Sequence, residues 1–567
     1  MHITRLPLIV TEKILQEAAR THSNKSYLWK NKLYLLAVCH EWRNIASGIV
    51  YRNAFVEGIV KYDSNHEENP NNVTFSANID LITSLDKTHY VREVAVCLDA
   101  IKFIVPFVQQ IDSLFQFYAS SWLGVSSLRL DLYSVIGDTD NESDGDEDDN
   151  ADDIIDNNEY GNKVVMQGGK QIYVEELVST IVLNMPNVKR LILDSDGDLV
   201  NLSKTAKSTL FGAYSTNLKH LSSRYSLPQN ISRFSRDLTH LEVKINQSSL
   251  RLLPQVHARS LQTLILEDVP LNFSWKYFQQ NDSNNPGHIN FSSLTQLDMQ
   301  FEYIFEGFEY EEGAPRLSQP KNGSSQAAKF TVLFPKLENL SISHYSEDAE
   351  LSFEATYPRH MKSVLLKSSV VPPNVFIKSG ICSIDKLEVI MLNVQAEYTD
   401  SFYSLTKHLF SNITLRDSSY LVFSEAGFTL DVGQCKWSNL KSLQLLGRIE
   451  YATLRQLICK MPKLESIAVH ELAFSAAGPA VSFSLDPSDH ALEALSPWET
   501  RITSVNVLFL ALNSRAEVVK MCIGQLLLCA TSLELLDING GEALDLRSFV
   551  DRFKPHYAHL RTIEIGG

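Results

Sequence analysis

The sequence predicts an α/β repeat protein: a solenoid with a parallel sheet along one side and helices along the other, preceded by a small all-α module. Three observations predict it. The pattern apolar-x-x-apolar-x-apolar recurs fifteen times between Val91 and Ile565. Several copies follow an amphipathic helical stretch that breaks at a proline. The residues before the first copy have a different texture, short and helical, without the repeat.

The repeat itself reads VREVAV from Val91, VSSLRL from Val125, VKRLIL from Val188, LKHLSS from Leu218 and LTHLEV from Leu238. It continues as LQTLIL from Leu261, LTQLDM from Leu294, LENLSI from Leu337, MKSVLL from Met361 and LEVIML from Leu387. The last five are LKSLQL from Leu440, LESIAV from Leu464, ITSVNV from Ile502, LELLDI from Leu533 and LRTIEI from Leu560. The shortest spacings, 20 to 27 residues, lie within the leucine-rich-repeat range. The closing x-apolar-x-apolar has a period of two, so it predicts a short strand. Ahead of the strand, Val174, Leu177 and Ile181 share a helical face that ends at Pro186, and Leu454, Leu457 and Ile458 share one that ends at Pro462. Pro335 occupies the same place before Leu337. Proline removes an amide donor and stops a helix, which sets the turn into the strand.

One helix–strand unit cannot bury its apolar face alone, whereas stacked units share a continuous core. The expected shape is a horseshoe with a parallel concave sheet and outer helices. Side chains at the x positions then face outward; they include Lys189, Arg190, Thr239, His240, Lys441, Ser442, Glu465 and Arg561. The repeat is degenerate: the asparagine that often follows the strand is not regular here. The interval from Leu387 to Leu440 is wide enough to hold an irregular copy.

Net charge is −16, and twelve carboxylates with no Lys or Arg fall between Asp138 and Glu159. Subtracting those twelve leaves about −4 for the rest. Residues 137–162 are therefore expected to form a disordered acidic insertion, and residues 303–330, rich in Gly, Pro, Ser and Gln, a flexible loop. A near-neutral body without a basic tract argues against nucleic-acid partners. Seven scattered cysteines with no Cys-x-x-Cys fit neither a disulfide framework nor a zinc site. The N-terminus has no signal-like apolar run, and no 18-residue apolar stretch is present. A cytoplasmic or nuclear protein with no membrane partner is expected.

Catalytic motifs are absent from the sequence: no Gly-x-Ser-x-Gly, phosphate-binding loop, His-Glu-x-x-His or dinucleotide fingerprint. His220 and His240, each beside a repeat leucine, read as outward strand positions rather than ligands. No enzyme activity, cofactor or metal is expected.

The N-terminal module spans residues 1–57 and the degenerate repeat solenoid 58–567. Ile9, Val10, Ile14 and Leu15 fall at helical spacing; Leu28, Leu33, Leu36 and Val38 lead a second helix to Cys39. Trp42, Ile45, Ala46 and Ile49 mark a third short element. The series Leu6-Pro7, Ile14-Leu15, Leu35-Leu36, Val38-Cys39, Trp42 and Ile45-Ala46, then Tyr51-Arg52, resembles the F-box. The resemblance covers about a tenth of the chain, and an F-box followed by leucine-rich repeats is a common order in that family. It implies a docking module for a Skp-type adaptor of a cullin–RING ubiquitin ligase. Leu6, Pro7, Ile9, Ile14, Leu15, Leu36, Val38, Cys39 and Trp42 would supply or support the adaptor contact, and the solenoid would bind a protein substrate. The alternative is a non-catalytic leucine-rich-repeat scaffold whose N-terminal helices only cap the solenoid.

Overall fold

In a computed structural model, the described residues are 13, 36–37, 40–62, 68–98, 119–132, 174–194, 204–224, 227–229, 231–270, 273, 275–278, 288–301, 331–345, 355–368, 380–391, 408–409, 411–423, 436–474, 502–510, 516–529, 532–539, 545–553 and 562–566. They form two compact units, Met1–Leu261 and Gln262–Gly567. Each is α/β and built on a parallel sheet. The expected insertions at 137–162 and 303–330 lie outside the described residues.

The first unit runs α1 (His40–Val50), β1 (Asn53–Tyr62), β2 (Glu68–Ala77), α2 (Ile79–Ser84), β3 (Glu93–Leu98), β4 (Ser127–Leu132), α3 (Val174–Asn184), β5 (Arg190–Asp194), α4 (Lys204–Tyr214), β6 (His220–Ser223), β7 (His240–Lys244) and α5 (Gln247–Leu252). β1 and β2 form an antiparallel pair. From β1 through β3 to β7 each strand pairs in parallel with the next. The repeat leucines supply the inward row: Val94, Leu128, Leu191, Leu221 and Leu241 stand in register and are all buried. Val178, Ile181 and Met185 of α3 and its end are fully buried behind this sheet, and Pro186 follows the helix as expected.

The second unit runs β8 (Thr263–Val269), β9 (His288–Asn290), β10 (Gln296–Phe301), β11 (Thr331–Leu333), β12 (Asn339–Tyr345), β13 (Ala355–Thr356), β14 (His360–Ser368), β15 (Ser383–Met391), β16 (Thr414–Phe423), β17 (Ser442–Glu450), α6 (Tyr451–Lys460), β18 (Ser466–Ala473), β19 (Ser504–Leu510), α7 (Ala516–Cys529), β20 (Leu535–Asn539), α8 (Leu546–Phe553) and β21 (Thr562–Gly566). β8, β10, β12 and β14 to β21 form a parallel sheet in sequence order. One row passes Leu266, Met299, Ile342, Leu366, Val389, Leu421, Leu445, Val469, Val507 and Ile538 in register, and every member is nearly or fully buried. Burying such a side chain contributes about 1.5–3 kcal/mol.

All fifteen expected copies fall on strands, fourteen in the expected register; at Leu387 the register is shifted by three, so that Ile384 takes the first apolar place and Leu387 the fourth. The interval from Leu387 to Leu440 holds one more, β16. Its Ser419 stands in register with Leu387 and Leu443 and is 2 % exposed, with its Oγ unpartnered. The helices behind the sheet are less regular than expected. α6 carries the predicted Leu454, Leu457 and Ile458, all buried, and ends before Pro462. Pro335, by contrast, follows the strand β11 rather than a helix. There β9, β11 and β13 form a small second parallel sheet. Each is followed by an aromatic: Phe291, Phe334 and Tyr357. Phe291–Phe334 and Phe334–Tyr357 stack at 5.1 and 5.4 Å, close to the strand spacing, with Trp275 edge-on to the first two. All three stacked aromatics are buried. Among the described residues no helix is long and apolar enough to cross a membrane.

α1 is joined to the first strands. Ala46, Val50 and Tyr51 are buried. Next to them, fully buried Asn78 accepts the Phe55 amide at 2.8 Å and donates to the Asn53 carbonyl at 2.9 Å. Asn78→Ala removes both of these hydrogen bonds from the buried backbone, at about 1–3 kcal/mol each. We expect chemical denaturation to show the first unit losing about 2–4 kcal/mol. In the second unit Ser419→Ala removes a buried orphan hydroxyl, and the same measurement should show no loss of stability, or a gain of about 1 kcal/mol.

Candidate functional site

Strand alternation decides which side chains reach the outward surface. In β17 and β18, Leu443, Leu445, Ile467 and Val469 point inward, so Ser442, Gln444, Ser466 and Ala468 point out. Register then aligns these outward residues into rows. One row of the second unit holds Ser418, Ser442, Ser466 and Ser504 side by side. The next holds Asp298, Ser341, Leu365, Glu388, Tyr420, Gln444, Ala468, Asn506, Asp537 and Glu564. Its four acids have no Lys or Arg in the same row, so this strip is acidic and hydrogen-bonding. Asn506 donates to Asp537 at 2.9 Å. Lys362 pairs with Glu338 at 2.7 Å and Lys441 with Asp417 at 3.8 Å, while Lys386 stands in register with Ser418 at the end of the serine row. Such exposed pairs contribute about 0–1 kcal/mol, so they shape the surface more than they stabilise it.

The outward positions expected from the sequence are half-buried or exposed at Lys189, Arg190, Thr239, His240, Lys441, Ser442 and Glu465. Arg561 lies outside the described residues.

In the first unit the outward face carries a tighter cluster. His220 of β6 and His240 of β7 are register partners, and their rings stack at 3.6 Å, 7° from parallel. Glu242 stands two residues along β7 on the same face, its Oε2 4.0 Å from His240 Nε2, and Ser222 is its register partner. The Nε2 atoms of both histidines are buried without a hydrogen-bond partner among the described residues. One ligand atom from each of His220, His240 and Glu242 lies within 4.8 Å of the others. Burial pushes His220 down to about 3, with help from His240 and Arg190 and against Glu242. The Glu242 carboxyl is drawn below its ordinary value by His240, with Ser222 adding to the effect and partial burial opposing it. The histidines do occupy the outward strand positions expected of them. Reading each alone missed their adjacency, although both fill the third place of their repeat.

A second side-chain set escaped the motif search. His360 Nδ1 lies 2.9 Å from Ser383 Oγ, and its Nε2 lies 3.4 Å from Asp385 Oδ2. The residue types are those of a nucleophile, a base and an orienting acid. However, the Cys382 and Ser383 amides both donate to the Arg359 carbonyl, so neither is left to stabilise an oxyanion. This set braces the starts of β14 and β15.

Of the expected adaptor-contact residues, Leu6, Pro7, Ile9, Ile14, Leu15, Val38 and Cys39 lie outside the described residues. Leu36 is half-buried, and its carbonyl accepts from Arg43 Nε at 3.0 Å, which ties it to α1. Trp42 lies in the first turn of α1. No protein-family profile matches the chain, and no curated protein matches it.

The buried neutral His220 has a testable consequence in chelator-treated protein. Below its ordinary 6.5 the unfolded chain takes up a proton that the folded chain refuses until about 3. The unfolded state then binds more protons, so stability falls on acidification between about 6.5 and about 3. The slope should reach about 1 kcal/mol per pH unit or less after allowance for partial solvent exposure. Denaturation series at pH 7, 6 and 5 should show a shallower dependence for His220→Gln than for the wild type.

Proposed function

We propose that this protein is the substrate-recognition subunit of a cullin–RING ubiquitin ligase. Its N-terminal segment docks a Skp-type adaptor, and its sheet face holds a protein substrate. The fold belonging to this reading is a leucine-rich-repeat solenoid, with the two parallel sheets on its concave side. The observation that carries the reading is the pairing of two features in one chain. Leu6-Pro7, Ile14-Leu15, Leu36, Val38-Cys39 and Trp42 follow the F-box pattern, and a long series of register-aligned strands presents outward side chains behind them.

The division of labour follows from chemistry. An apolar docking patch gains about 25 cal/mol per Å² buried, less the cost of association. A row of hydroxyls with Glu388 and Asp537 on the strands to either side suits an extended, basic segment of a protein partner through hydrogen bonds and charge. A receptor of this kind brings its substrate to the transfer machinery and needs no bond chemistry of its own. Cytoplasm and nucleus are the compartments where such ligases work.

The packing of α1 favours a second reading, in which the N-terminal helices cap a repeat scaffold. Ala46 and Val50 are buried against the first unit, as a cap requires. Adaptor capture separates the two readings, because the buried α1 residues are accounted for by both. For the adaptor contact itself, replacing Leu6 and Trp42 together with polar residues should abolish capture by a Skp-type adaptor. Undiminished capture by the folded double variant would contradict the proposal.

A further inference from the structure

We propose that His220, His240 and Glu242 form a zinc-binding site on the outward face of the first unit. The argument begins with the ladder. Register partners on neighbouring parallel strands stand one strand spacing apart, about 4.8 Å, and a residue two places along projects from the same face. Two histidines and a glutamate in this arrangement converge without any loop to position them. Their ligand atoms already lie within 4.8 Å of one another. Tetrahedral zinc with bonds of about 2.0–2.1 Å needs ligand atoms about 3.3 Å apart. Coordination also requires the two rings to turn out of their parallel stack, so that both in-plane lone pairs meet at one point, with the flexible Glu242 side chain following.

The donor chemistry agrees with the geometry. Zinc takes neutral imidazole and carboxylate ligands, and two histidines with one glutamate is an established three-ligand set that leaves a fourth position open. Both histidine Nε2 atoms are buried without a partner among the described residues, an expense that a bound metal would remove. Each neutral imidazole offers one ring-nitrogen lone pair, so each histidine can give zinc one ligand atom. Glu242 supplies the negative charge that offsets the cation and the nearby Arg190. The open fourth position faces the same side as the outward strand residues, so a side chain of a bound partner can complete the shell.

The site was hidden from motif search because its ligands are not in a short spacing pattern. Twenty residues and a strand-to-strand step separate His220 from His240, and only the register brings them together. A stacked pair that merely fills space would predict no metal affinity at all, and that is the competing outcome.

The test uses the full chain, stripped with chelator, titrated with zinc alone by calorimetry and with cobalt by absorption spectroscopy. We expect one metal equivalent and a cobalt ligand-field spectrum typical of four-coordination. Loss of an outer-shell partner already costs about 10–100-fold in metal affinity, so His220→Ala, His240→Ala and Glu242→Gln should each cost at least about tenfold. His89→Ala, at an exposed histidine elsewhere in the first unit, should cost nothing. If His220→Ala fails to fold by circular dichroism, His240→Gln and Glu242→Gln carry the test. Absence of a stoichiometric zinc equivalent in the wild type would overturn the proposal. So would binding that persists unchanged in His240→Gln and Glu242→Gln, because the metal would then sit elsewhere.

Discussion

Everything in this protein depends on how each strand is held at its start. A single carbonyl accepts the amides of two consecutive residues on the next strand. Lys189 O takes Lys219 and His220, and Lys219 O takes Thr239 and His240. In the second unit Glu465 O takes Thr503 and Ser504, and Thr503 O takes Glu534 and Leu535. Thr239, Thr295 and Thr503 add a hydroxyl to the same kind of carbonyl. The clamp fixes register to the residue. A slip of one would turn every inward leucine to solvent and every outward polar group into the core. Each clamp is of modest strength alone, about 1 kcal/mol per hydrogen bond. Its repetition makes the inward apolar rows and the outward polar rows two consequences of one constraint.

Function follows from the outward rows. A surface built this way places side chains on a grid about 4.8 Å wide across strands, so chemistry arises from residues far apart in sequence. The serine row, the acidic row, the His220–His240 stack and the His360–Ser383–Asp385 brace all come from that grid. None comes from a contiguous motif. The same grid explains why the candidate partners are a protein segment and a metal ion: both can be met by fixed, evenly spaced groups.

Much of the fold could be read from the residues because the clamp demands a pattern. Inward positions must be apolar at fixed offsets, and fifteen copies satisfied that closely enough to be seen. β16 was not seen because Ser419 occupies a place that leucine fills elsewhere, and a register shift after Leu415 adds one residue to the apolar spacing; its neighbours hold it in register regardless. β9, β11 and β13 are two or three residues long, too short for periodicity, and stand on the aromatic stack of Phe291, Phe334 and Tyr357 instead. Pro335 looked like a helix stop but ends a strand, because a proline turn serves either element. The site was harder to read. His220 and His240 were placed on the correct face, yet their partnership needed the knowledge that consecutive repeats pair in parallel. The Ser383–His360 contact needed the register in which Ile384, not Leu387, opens the apolar pattern of β15. Of the residues that carry the N-terminal resemblance, Leu36, Trp42, Ile45, Ala46, Tyr51 and Arg52 are described and the others lie outside the described residues, so adaptor binding is its direct test.

That test is the mass of the full chain co-expressed with a Skp-type adaptor, measured by size exclusion with light scattering. The account predicts a stable one-to-one complex. A folded chain that elutes free of adaptor would contradict it and leave the N-terminal helices as the cap of a repeat scaffold.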